Sequence, residues 1–184
     1  MTTATKSKKI VKKTFFEVNA PVTSTKIHLF GGSKEELIGK VVKLDLTRNL
    51  RGKSLELKMR VKVQDDKLTS EPISLELAGS YIRRMMRKGA DYVEDSFEAE
   101  CKDGKVVIKP FMITRNKVSR AIRKSLRESA RKNLTAHLTT RTFEEVFSEI
   151  TANKIQRELS LKLKKIYPLA LCEIRVFRLI EEKK

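Results

Sequence analysis

The chain has 184 residues, 41 of them lysine or arginine against 23 aspartate or glutamate, for a formal charge of +18 at pH 7. That excess concentrates phosphate polymers through long-range attraction and counterion release, so a polyanionic partner is expected. No apolar run approaches the roughly eighteen residues that a membrane span needs, and the N-terminus has no hydrophobic signal core, so no membrane partner and a cytoplasmic location are expected. The two cysteines, Cys101 and Cys172, lie far apart without CxxC spacing. That spacing argues against a disulfide framework or a zinc site, and both read as core residues. A chain of this length buries roughly 70% of its unfolded surface, enough for one good core.

In chain order, residues 1–13 carry Lys6, Lys8, Lys9, Lys12 and Lys13 with little that is apolar. They read as a basic tail that cannot repay the entropy of ordering alone, and residues 14–184 read as a single domain. Strands are expected at 15–19 and 26–30, then at the alternating Val42, Leu44 and Leu46. The clearest alternation is in 54–64, with Leu55, Leu57, Met59, Val61 and Val63 on one side and Glu56, Lys58, Arg60 and Lys62 on the other. Asp65-Asp66 reads as a turn, and Ile73, Leu75 and Leu77 mark the next strand. A short amphipathic helix follows over 78–88. Tyr81, Ile82 and the Met85-Met86 pair form its core side, and Arg83, Arg84, Arg87 and Lys88 its outer side. Asp103-Gly104 between 97–101 and 106–113 is a two-residue hairpin signal.

The stretch 115–132 reads as a helix with one basic face. At 100° per residue Arg120, Lys124, Arg127 and Arg131 fall in one row, opposite Val118, Ile122, Leu126 and Ala130. Glu128 is its only acid, so ion pairing along the helix is almost absent and like charges repel until something external answers them. Thr142 with Glu145 forms a capping-box signal before Val146, Phe147 and Ile150. Ile155, Leu159, Leu163 and Ile166 continue at helical spacing until Tyr167-Pro168 ends the run, and a last strand is expected over 171–180. Strands, then mostly helices, then a strand predict an α+β fold: an antiparallel β-barrel of about seven or eight strands flanked by helices.

Catalytic chemistry is poorly supplied. His28 and His137 are the only histidines, and neither belongs to a metal-ligand or base-nucleophile arrangement. Gly52-Lys53-Ser54 resembles the end of a phosphate-binding loop, but Thr47 stands where its first glycine belongs and a strand follows where a helix N-terminus is required. Asp65, Asp66, Asp91, Glu94 and Asp95 sit at turns or strand ends, where acids are usual, so no metal, cofactor or enzymatic activity is expected.

The candidate RNA-binding residues are therefore basic and dispersed. They are Lys8, Lys9, Lys12 and Lys13 in the tail; Arg48, Arg51 and Lys53 on a loop; Arg83, Arg84, Arg87 and Lys88 beside the short helix; and Arg115, Lys117, Arg120, Arg123, Lys124, Arg127, Arg131 and Lys132 on the long one. Aromatic residues make up 6% with no tryptophan, so stacking platforms must be few, and no helix-turn-helix or zinc finger is present. Dispersed cations suit folded RNA, which surrounds much of its partner.

The segment Phe15-Phe16-Glu17-Val18-Asn19-Ala20-Pro21, preceded by lysines, resembles the opening of the small-subunit ribosomal protein family shared by archaea and eukaryotes, called S-three-A or e-S-one. Phe111 with Thr114-Arg115, the Ile122-Arg123-Lys124 helix, Ile166-Tyr167-Pro168-Leu169 and Arg175-Val176 resemble its later landmarks in the same order. Phe15-Phe16 departs from the tryptophan-tyrosine pair common in relatives but keeps its packing role, and the chain looks like the shorter archaeal form. The resemblance implies a scaffold in the platform of the small ribosomal subunit. Its partners would be ribosomal RNA near the 3′ region, neighbouring ribosomal proteins and messenger RNA near its exit. A free translation or assembly factor that visits the ribosome is the alternative.

Overall fold

The computed structural model describes residues 12–21, 23, 25–48, 50, 52–64 and 67–180. Lys8 and Lys9, most of the expected tail, Arg51 and the Asp65-Asp66 turn lie outside them. The described residues form two compact units, one drawn from 12–42 and 60–71 and one from 43–59 and 72–180.

In the first unit, β1 (Thr14–Ala20) and β2 (Thr25–Gly31) pair antiparallel, with Phe15 opposite Phe30 and Val18 opposite Ile27. A one-turn helix α1 (Lys34–Leu37) follows, N-capped by Ser33, whose hydroxyl accepts from Glu36 N at 3.4 Å. Leu37 drops against Gly31, where a Cβ would meet its Cδ2 at 2.9 Å, so a larger residue there forces the Leu37 side chain to shift. Val18, Leu37, Val61 and Leu68 form the core, with Phe16, Ile27, Leu29 and Val42 packed against them. The sequence pattern does not mark α1, because four residues carry no periodicity.

Three strands run through both units: β3 (Val41–Asp45), β4 (Leu55–Gln64) and β5 (Lys67–Leu77). The alternation expected of β4 holds from Leu55 to Val61, all four apolar positions being buried, but Val63 is exposed.

In the second unit, α2 (Gly79–Met85) buries Tyr81 and Ile82 alone. The helix stops at Met85 and the chain turns extended at Met86, so both methionines are exposed and not core as expected. Next come β6 (Tyr92–Glu94), which the sequence did not suggest, β7 (Phe97–Cys101) and β8 (Gly104–Thr114). The Asp103-Gly104 turn joins the last two as predicted, with Cys101 opposite Gly104. The sequence then enters α3 (Arg120–Leu138), α4 (Phe143–Thr151), α5 (Lys154–Leu163) and β9 (Leu169–Leu179). β8 and β9 pair along almost their full length, and the register shifts between Lys109 and Pro110, where proline has no N–H to give the ladder.

The single helical run expected after Thr142 is two helices. Asn153 takes φ 59°, a left-handed conformation that asparagine tolerates, and breaks the run there. Ile155, Leu159 and Leu163 are buried as expected, while Ile166 lies beyond the helix and is exposed. The capping box of Thr142 and Glu145 is present, and the Asp103 carboxylate accepts from Phe143 N at 3.0 Å. Phe143 stacks on Phe177 of β9 with centroids 4.9 Å apart, locking α4 to the sheet.

The fold is thus α+β, with nine strands and five helices among the described residues. Strand order is β2-β1-β5-β9-β8-β6, with β4 on β5, β3 on β4 and β7 on β8. Among the described residues the sheet does not close into the expected barrel. Nor is it wholly antiparallel, because β1 meets β5 in parallel at Asn19 and Thr69.

Candidate nucleic-acid interface

The basic helix begins later and runs longer than its sequence suggested. Ser119 is the N-cap, its hydroxyl accepting from Ile122 N at 3.4 Å, so Arg115 and Lys117 belong to the loop before α3. That loop is tied down: the Thr114 hydroxyl donates to Asn116 O at 2.7 Å and Val118 N donates to the Asp91 carboxylate at 2.9 Å. Leu126, Ala130, Leu134 and Leu138 form the buried stripe. Arg120, Lys124, Arg127, Arg131 and Lys132 are exposed, Arg127 and Arg131 along the border of that stripe, while Arg123 is half-buried.

Few of these cations have an internal answer. Lys124 stands 3.8 Å from Glu128, but both side chains are at least two-thirds exposed and such a pair contributes almost nothing. Arg127 Nε donates to Glu94 O at 3.2 Å, and the Arg131 guanidinium lies 5.2 Å from the centre of the Phe97 ring. These contacts aim the two arginines without neutralising them. The first turn of α3 holds no acid, so the positive pole of the helix dipole coincides with Arg115, Lys117 and Arg120. An external anion relieves both costs at once.

The α2 cations meet this region through Asp91. Arg83, Arg84, Arg87 and Lys88 are all exposed, with Arg84 5.7 Å from the centre of the Tyr81 ring. Burial, then the Glu173 charge, pushes the Tyr81 phenol up, so it stays neutral beside Arg84. Asp91 follows Lys88 by three residues and holds both Thr114 and Val118, with Thr114 N donating to Asp91 O at 2.9 Å. The ends of the two basic segments are thereby brought together.

Lys53 does not join them. It is 8% exposed, and its ammonium donates to Glu173 at 2.5 Å and to Asn153 Oδ1 at 2.7 Å. Sequence could not show this, because those partners lie 120 and 100 residues away. Arg48 is exposed on its turn, and Lys12 and Lys13 are exposed before β1. Of the acids considered as metal ligands, Asp91 holds Val118, Asp95 accepts from Ser96 N at 3.0 Å and Glu94 pairs with Arg175. No group of three possible metal ligands forms among the described residues.

The sequence profile of the Ribosomal S3Ae family matches residues 2–183. The chain belongs to that family. Among its S3Ae relatives, the small ribosomal subunit protein eS1 of Methanothermobacter thermautotrophicus is 31% identical over 140 residues, covering 75% of this chain and 72% of that one. The eS1 of Nanoarchaeum equitans is 26% identical over 181 residues, covering 94% and 91%. The S3Ae match therefore extends over both compact units.

The S3Ae assignment also leaves something that the sequence missed. Phe15 is 73% exposed and Phe30 55%, so of the Phe15-Phe16 pair only Phe16 packs against the core. Strand alternation carried the signal, since Phe15 falls on the opposite face from Phe16.

Proposed function

We propose that this protein is a structural constituent of the small ribosomal subunit, working in the cytoplasm as part of the ribosome and making or breaking no bond. Its cations hold ribosomal RNA by its phosphates, in the platform near the RNA's 3′ region and the messenger exit, beside neighbouring ribosomal proteins. The observation that carries this reading is α3, a helix fixed by a buried stripe, whose exposed cations find only the solvent-exposed Glu128 as counter-charge on the helix itself.

Arg115, Lys117, Arg120, Lys124, Arg127, Arg131 and Lys132, with Arg83, Arg84, Arg87, Lys88, Arg48, Lys12 and Lys13, are the proposed anchors. Guanidinium forks fix orientation by bidentate contacts and ammoniums add charge. The set leaves out Lys53, whose ammonium is held inside the fold. The test is incorporation: Arg120→Glu with Lys124→Glu, expressed beside the wild type, is expected to be depleted from assembled small subunits. Equal incorporation would reject the α3 assignment.

A further inference from the structure

Two large aromatic rings on the outer face of a two-stranded ribbon are an uncommon exposure, and here they touch. Phe15 and Phe30 face each other across the β1–β2 ladder with ring centroids 5.0 Å apart and planes tilted by 49°. The Lys13 ammonium lies 6.0 Å from the Phe30 centroid, which leaves Phe15 the more open ring. Beside them runs a groove of about 440 Å³, lined by Phe15, Lys26, Lys34 and Lys67 among others. Lys26 pairs with Glu17 at 3.2 Å, but the two side chains are 67% and 58% exposed, so that pair yields readily to a stronger anion.

Aromatic surface ringed by ammoniums discriminates between partners. Protein interfaces favour aromatic residues but are depleted in lysine, whereas single-stranded nucleic acid pairs a stacking ring with a basic track for its backbone. We propose that Phe15 and Phe30 form a stacking platform for an unpaired nucleobase of RNA, with Lys26, Lys34 and Lys67 holding the phosphates on either side. The site rests on the RNA-binding reading above and adds to it a preference for unpaired over duplex RNA.

The test uses the full chain with two probes at one ionic strength: a short single-stranded oligoadenylate carrying a central 2-aminopurine, and an RNA duplex of similar charge. Wild type is expected to bind the single strand and change its 2-aminopurine fluorescence through stacking. Phe15→Ala with Phe30→Ala should weaken the single strand by roughly five- to a hundredfold and leave duplex affinity within about twofold, while Phe15→Trp retains both. Unchanged single-strand affinity in the alanine variant overturns the platform, and is the result expected if a protein neighbour covers the rings instead. Equal loss on both probes also overturns it, since the rings then act through the fold. Wild type that binds neither RNA overturns the RNA-binding reading and the platform together.

Discussion

Lys53 shows what a single buried charge does in this fold. Its ammonium sits between Glu173 and Asn153, and Asn153 is the left-handed residue that separates α4 from α5. Lys53→Ala leaves the Glu173 carboxylate buried without its partner and is expected to cost about 3–5 kcal/mol in urea unfolding. Lys53→Met with Glu173→Leu removes both charges and should recover most of that loss; no recovery would mean that the pair is not the cause. The cysteines make a second prediction at this scale. Burial pushes the Cys101 thiol up to about 11, helped by the Asp103 charge, and the Cys172 thiol up to about 12, helped by Glu173. An unfolded thiol ionises near 9.0, so between that pH and the folded values the native state alone keeps its protons. Stability is therefore full below pH 9.0 and falls as pH rises through about 11 and 12, and Cys101→Ala with Cys172→Ala should flatten that fall. Both thiols should react slowly with a disulfide reagent at neutral pH until the chain unfolds.

At the scale of the element, α3 separates holding itself together from holding RNA. Ser119→Ala removes the N-cap bond and should lower stability by about 1 kcal/mol with RNA affinity unchanged. Arg120→Glu with Lys124→Glu acts the other way. It places an acid at the positive pole of the helix, worth about 0.3–1 kcal/mol, which repulsion from Glu128 and between the two new acids largely offsets, so stability should change little while phosphate anchors are lost. The log–log salt dependence of RNA binding should then flatten by about 0.7–0.9 for each phosphate left without its cation. Thermal unfolding and affinity at several salt concentrations distinguish the two variants. Much of α3 was legible from its 3.6-residue stripe, but its start was not. Arg115 and Lys117 continue the basic composition into the loop, and the boundary is set by Ser119 and by Asp91, a residue on another segment.

For the whole molecule, local chemistry could be read and long-range pairing could not. The alternation of β4, the Asp103-Gly104 hairpin and the capping box at Thr142 each rest on residues within a few positions of one another, and all appear. Strand order rests on which edges meet. The parallel step between β1 and β5 leaves no trace in period-two alternation, so a closed antiparallel barrel was the natural expectation. The interface follows the same division. The exposed cations of α2 and α3 were visible as composition and the outward turn of Phe15 as strand alternation, whereas the withdrawal of Lys53 depends on partners brought by the fold.

A charge of +18 alone would give any RNA some affinity; a constituent of the particle differs from a visitor in what survives when that attraction is screened. The decisive measurement is sedimentation of cell extract through a gradient at high salt, with this protein followed by antibody. As a structural constituent it should travel with the small subunit after weakly bound factors have dissociated. Recovery in the free fractions at the top, with the small subunits intact below, would contradict the account and leave a translation or assembly factor that visits the ribosome.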